Sequence, residues 1–216
     1  MIPVHLDWCR PVGEVSVAFD DDQKHPEGLI IASLPDTESV HYRIADLENP
    51  IALHLVNCKT DDDLLRFVKR FGMTDWYADA KVLDRMPMSS LRFIHEQIRD
   101  IFELLALTDV DQRIDRFEAN ELFRWSSFAP RFERAEDKAR PRLVMRPSSL
   151  GDLMIMEGAL AADEGAVAVR CAHCQKLFLI GPLTGRRSHA VYCSDRCRVA
   201  AMRVRKATNA VWQDGF

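Results

Sequence analysis

Along residues 1–58, apolar and polar positions alternate in short runs. EVSVAFD (14–20) alternates, LIIASL (29–34) is a continuous apolar run of strand length, VHYRI (40–44) alternates again, and IALHLV (51–56) is apolar. A period of two places one face of an extended chain in a core and the other in water. The stretch therefore predicts short strands, with turns at Asp20-Asp21-Asp22 and at the nearby Pro and Gly residues. An Asp triplet can hold a metal, but a solvated loop is the commoner meaning.

From residue 60 the period lengthens to that of a helix. TDDDLLRFVKRFG places Thr60 and Asp63 at capping-box spacing, puts acids on the first turn and ends at Gly72. SSLRFIHEQIRDIFELLAL sets Leu91, Ile94, Ile98, Ile101, Phe102 and Leu105 on one stripe, with His95 at its edge. TDVDQRIDRFEANELFRWSSF predicts a further helix with Ile114, Phe117, Leu122 and Trp125 as core. APRFERAEDKARPRLVMRP is read as a loop or an exposed strand, and SSLGDLMIMEGALAADEG as a helix opened by Ser148 or Ser149. The expected class is α+β: a body over 1–166, with strands over 1–58 and helices over 60–166, followed by a separate module over 167–216.

Six cysteines change the picture. No apolar run is long enough to span a bilayer, and the start MIPVHLDWCRPVGE lacks the basic and apolar regions of a secretory signal. A cytoplasmic protein is expected, in which thiols stay reduced and a disulfide framework is not the explanation. Cys9 and Cys58 stand alone and read as ordinary half-buried residues. Cys171 and Cys174 form CxxC, and Cys193 and Cys197 form CxxxC. Two short-spaced pairs on two segments can give tetrahedral Zn²⁺ four soft ligands. The first pair follows a strand, VAVR, and the second opens a helix, so the expected module is a treble-clef-like zinc ribbon. Four filled positions make the site structural, with no place left for a catalytic water. A redox CxxC would leave the second pair unexplained. His173 or His189 could replace one Cys as a ligand, but four Cys suffice.

The formal net charge of −4 conceals an asymmetry. Residues 170–206 carry nine Lys and Arg against one acid, Asp195, which is +8; residues 1–169 carry 20 basic and 31 acidic residues, which is −11. An acidic body joined to a basic tail points to an anionic partner for the tail or to contact between the two parts. Arg186, Arg187, Arg196, Arg198, Arg203 and Arg205 are the candidate nucleic-acid contacts.

The residues Cys171, Cys174, Phe178, Gly185-Arg186-Arg187, Tyr192-Cys193-Ser194 and Cys197-Arg198 resemble the C-terminal zinc finger of bacterial proteins related to the CGNR-type stress regulators, over about 36 residues. The CGNR tetrapeptide itself is absent. That resemblance implies a DNA-binding transcription regulator.

A second motif overlaps the first. Leu177 and Leu179 alternate with Phe178 and Ile180, so the strand is apolar on both faces and one small zinc core can cover only one of them. The other face needs either the body or another protein. Gln175, Leu177, Phe178 and Ile180, within QKLFLI, fit the hexapeptide with which bacterial replication proteins bind the sliding clamp, and Gln175 stands where a zinc knuckle commonly has Gly. In this respect the chain resembles SocB-like bacterial toxins, which block DNA replication through the clamp. The resemblance implies the DNA polymerase sliding clamp, a cognate antitoxin and a regulatory protease as partners, with DNA as a further candidate and no membrane. No phosphate-binding glycine loop, zinc-protease helix or nucleophile elbow occurs, and a non-enzymatic protein is expected.

Overall fold

A computed structural model of the chain describes residues 2–19, 25–32, 37–74, 85–107, 109–118, 126–134 and 140–213. Two small sheets and a helical layer share one apolar core. β1 (Val4–Pro11) pairs antiparallel with β4 (Thr37–Ile44), and β6 (Phe128–Arg134) with β7 (Pro141–Pro147). β7 meets β1 in parallel at Val4 and Met145, giving the order β4-β1-β7-β6. β2 (Val15–Ala18), β3 (Leu29–Ala32) and β5 (Arg85–Pro87) form the second, antiparallel sheet.

Three departures from the sequence reading concern this body. IALHLV is not a strand: it forms helix α1 (Ile51–Val56), with Ala52, Leu53, Leu55 and Val56 buried. The run 129–147 supplies two paired strands, so the region after residue 60 is not all helical. β1 has no counterpart among the strands expected from the sequence, although Val4, Leu6 and Trp8 alternate and are buried.

The helices otherwise follow their local signals. α2 (Asp61–Phe71) opens with the Thr60–Asp63 capping box and stops at Gly72, whose φ is 105°. A Cβ at Gly72 would lie 2.6 Å from the Cys9 carbonyl, so this glycine also allows β1 to pass close by. α3 (Met88–Leu104) buries Leu91, Ile94, Ile98, Ile101 and Phe102, and Leu105 just beyond it is buried too. The His95 ring is half-buried, and burial pulls its pKa down. In α4 (Val110–Glu118), Ile114 is 49% exposed and is not core as expected. Leu122, Trp125 and the Asp20–Asp22 triplet, like the Phe117 side chain, lie outside the described residues. α5 (Leu150–Asp163) is capped by Ser149, which accepts from the Asp152 N–H at 3.0 Å.

Glu157 on α5 is buried and links two helices. Its carboxylate accepts the N–H groups of Ile51 at 2.9 Å and Ala52 at 2.7 Å, the free donors at the start of α1. Burial raises its pKa to about 7 from 4.5, the two N–H donors opposing the shift. A raised folded-state pKa means a contribution that is complete below pH 4.5 and is lost as pH rises through about 7. The parent is therefore expected to lose up to about 3 kcal/mol relative to Glu157→Gln across that window. Urea midpoints of both proteins at the two ends of the window measure this, and a gap that does not change with pH would refute it.

Candidate metal centre and the joint that holds it

β8 (Val167–Arg170) and β9 (Leu177–Ile180) form an antiparallel hairpin, with Cys171 and Cys174 in the turn between them. Helix α6 (Asp195–Gln213) follows. Ser194 caps it, accepting the Cys197 N–H at 3.3 Å, and this fixes the first turn carrying Cys197 beside Cys193.

The sulfur atoms of Cys171, Cys174, Cys193 and Cys197 all lie within 4.8 Å of one another. Cys174 and Cys193 are 3.6 Å apart, and Cys193 and Cys197 are 3.5 Å apart. Those separations are too long for disulfides. They approach the ~3.8 Å expected between ligands at the corners of a tetrahedron with ~2.3 Å metal–sulfur bonds. The four cysteines can hold one metal ion, and the donor set is consistent with zinc.

The electrostatics agree with a site built for a cation. Burial pushes the Cys171 thiol up, but N–H donors from Cys174, Cys193 and His173 outweigh it and hold the group near 6. Burial and the neighbouring sulfurs of Cys197, Cys174 and Cys171 push Cys193 up to about 12. Four thiolates so close repel one another unless a cation lies among them. His173 and His189 are both exposed and stand outside the cluster.

Gln175 has a φ of 62°, so it occupies the left-handed position that a knuckle glycine would fill. Its N–H donates to the Cys171 carbonyl at 3.0 Å and closes the turn. The side chain is exposed. Its presence in this turn is a matter of backbone conformation before any question of binding.

The strand after it has no free face. Leu177 and Leu179 are 5% and 0% exposed and belong to the body's core, while Phe178 and Ile180, at 3% and 8%, pack with Cys171 in the core around the sulfurs. Of the four residues expected at a clamp, only Gln175 faces solvent in this arrangement. The body is the partner of the second face.

Asn57, which the sequence reading missed, completes the joint. Its side chain accepts the Leu177 N–H at 2.7 Å and donates to the Leu177 carbonyl at 2.9 Å, so one side chain pairs with β9 as a strand would. An Asn after an apolar run carries no sequence signal for this. Two further links reinforce it: the Ala168 N–H donates to the Leu105 carbonyl at 3.3 Å, and the Leu47 N–H to the Leu183 carbonyl at 2.8 Å. β9 is thus shared between body and module.

The arginines divide into two groups. Arg186 donates to the carbonyls of Glu48 at 3.0 Å and Cys193 at 3.1 Å and lies over the Phe178 ring, so it ties the module together and is not a free phosphate contact. Arg198 pairs with Asp195 at 3.1 Å, and Arg205 donates to the Tyr192 hydroxyl at 2.9 Å. Arg187, Arg196, Arg203 and Lys206 are exposed and make no ion pair among the described residues. Arg196, Arg203 and Lys206 stand at i, i+7 and i+10, within an arc of about 80° of α6, and Arg198 and Arg205 lie opposite the first two.

Among the described residues no helix is long and apolar enough to cross a membrane. No family model matches the chain, and neither a curated protein nor a solved structure matches it. The site therefore defines the protein only as a mixed α/β chain with a C-terminal cluster of four cysteines able to hold a metal ion.

Proposed function

We propose that the protein is a double-stranded-DNA-binding regulator in which zinc, held by Cys171, Cys174, Cys193 and Cys197, staples a basic helix to the acidic body. The observation that carries this reading is the outward face of α6, where Arg196, Arg203 and Lys206 are exposed and unpaired among the described residues. A 19-residue helix is about 28 Å long, enough to lie along a major groove. Arg187 adds a further exposed cation just after the turn closed by Gly181 and Arg186. These groups have the chemistry of phosphate contacts, which position a protein on a duplex without reading its sequence.

The test is anisotropy of a labelled duplex titrated with the full-length protein at several salt concentrations. Each phosphate contact contributes about 0.9 to the slope of log affinity against log salt. Replacing Arg196, Arg203 and Lys206 together with Gln is expected to reduce the slope by about 2.7. Arg198→Gln, which removes a side chain already paired with Asp195, is expected to change it less. Absence of binding at low salt, or an unchanged slope in the triple variant, would remove the DNA reading.

The sliding-clamp reading comes second. Its support is Gln175, exposed at the head of an apolar strand. Its cost is that Leu177, Phe178 and Ile180 must leave two cores before they can enter a pocket. Recovery of the clamp by the parent protein but not by Gln175→Ala, with metal content unchanged, would put the clamp first.

A further inference from the structure

A cleft of about 410 Å³ opens where the metal module meets the body, between α1, α2 and the first residues of β9. DNA binding through α6 makes no use of it. Its volume lies in the range of small-molecule sites. Leu53, Phe67, Phe71 and Phe178 supply apolar surface, and four cations and two carboxylates stand around it.

The charges are unevenly committed. Asp63 pairs with Arg66 at 2.6 Å and also caps α2. Arg186 is spent on the Glu48 and Cys193 carbonyls. Arg70 and Lys176 remain, exposed and without an ion pair among the described residues. The Arg70 guanidinium lies 4.9 Å from the centre of the Phe71 ring, so charge and apolar surface adjoin. The His54 ring packs against the same ring at a tilt of 41°, with the centroids 5.0 Å apart. Its pKa is lowered, first by burial and then by the charges of Arg70 and Lys176, which places a positive field from both sides of the joint on this wall. A neutral imidazole there can donate a hydrogen bond without adding charge. The Cys58 thiol is pushed up to about 11 by burial, so the cleft holds no thiolate nucleophile at Cys58.

We propose that this cleft binds a small organic anion, with an acidic head taken by Arg70 and Lys176 and an apolar body laid against Phe67 and Phe71. The head is a carboxylate or a phosphate monoester. Arg70 belongs to the body and Lys176 to the metal module, so one anion bridges the two parts.

The experiment uses the full-length, metal-loaded chain and the fluorescent probe 1-anilinonaphthalene-8-sulfonate, an apolar ring system with one anionic head. The Arg70→Glu, Lys176→Glu variant is expected to weaken probe binding by about tenfold or more, the scale of losing a charge-assisted contact. Its metal content and helicity are expected to match the parent. Should the double variant fail to fold, Lys176→Gln changes only one exposed side chain and is expected to weaken the probe in the same direction. 1-Naphthoate and 1-naphthyl phosphate are competitors that distinguish the two heads, while inorganic phosphate and neutral 1-naphthalenemethanol lack one half of the ligand each. Displacement by either naphthyl anion at lower concentration than by both half-ligands supports the proposal. Parent-like affinity in the folded variants, or equal displacement by naphthalenemethanol, overturns it. The Arg196, Arg203, Lys206→Gln variant is expected to keep full probe binding, so loss of the DNA reading would leave this result standing.

Discussion

Cys174→Ser is expected to release the metal and to destabilise the body along with the module. Serine keeps the shape of the side chain but supplies no thiolate, leaving three sulfurs for an ion that wants four ligands. The core around the sulfurs is too small to stand alone: Cys171, Phe178 and Ile180 are its buried members. Without the metal the knuckle has little to hold it, since ligand binding and folding share one free energy in such modules. The consequence reaches the body because Leu177 and Leu179 sit in the body's core. Burying each is worth about 1.5–3 kcal/mol, so detachment of β9 would cost about 3–6 kcal/mol as an upper bound. That is a large part of a typical domain's 5–15 kcal/mol, on the order of half. Metal analysis is expected to fall from about one ion per chain to near none. The urea midpoint of the body is expected to fall with it, and a chelator is expected to do the same to the parent. A metal-free variant that unfolds at the parent's midpoint would show that β9 stays docked without the metal.

What the sequence made legible was local. The Thr60–Asp63 box, the Ser149 cap and the α3 stripe each draw on residues three or four apart, and all are present. The cysteine pairs were legible for the same reason, because each pair is short-spaced and only their meeting is long-range. What was not legible depends on partners far along the chain. IALHLV is six residues, five of them apolar, whose period favours neither state, and its helix is fixed by Pro50 at its start and by Glu157 more than a hundred residues later. β7 joins β1 in parallel across almost the whole body, which no spacing announces. Ile114 fell on a helical stripe, but its side chain is about half exposed among the described residues. The two-sided strand after Gln175 is the sharpest case. Its pattern correctly demanded two partners and said nothing about who they are, and one of them proved to be the body itself, gripped through Asn57.

Neighbouring residues of β9 on opposite faces are expected to fail in different ways when truncated. Leu179 is wholly buried in the body's core, and Leu→Ala at such a site costs about 2–5 kcal/mol, according to how far the surroundings collapse. The cost is expected to fall on the body: a lower urea midpoint, with the cysteines still holding their metal until the chain unfolds. Phe178 packs instead with Cys171 and Ile180, under the Arg186 guanidinium. Phe178→Ala, at about 3–5 kcal/mol, is expected to fall on the metal core. A chelator should strip that variant at lower concentration than Leu179→Ala, while its body midpoint moves less. Asn57→Ala sits between them. It leaves the N–H and the carbonyl of Leu177 without a protein partner at a half-closed joint, at about 1–3 kcal/mol for each group that water does not reach. If body and module share β9 as one cooperative element, Asn57→Ala and Leu179→Ala together are expected to cost less than their sum, because the first loosens the contact that the second removes. Equal sensitivity of metal and body to all three changes would mean that the chain unfolds as one unit with no weak joint, and full additivity would mean that Asn57 holds β9 without helping to seat Leu179.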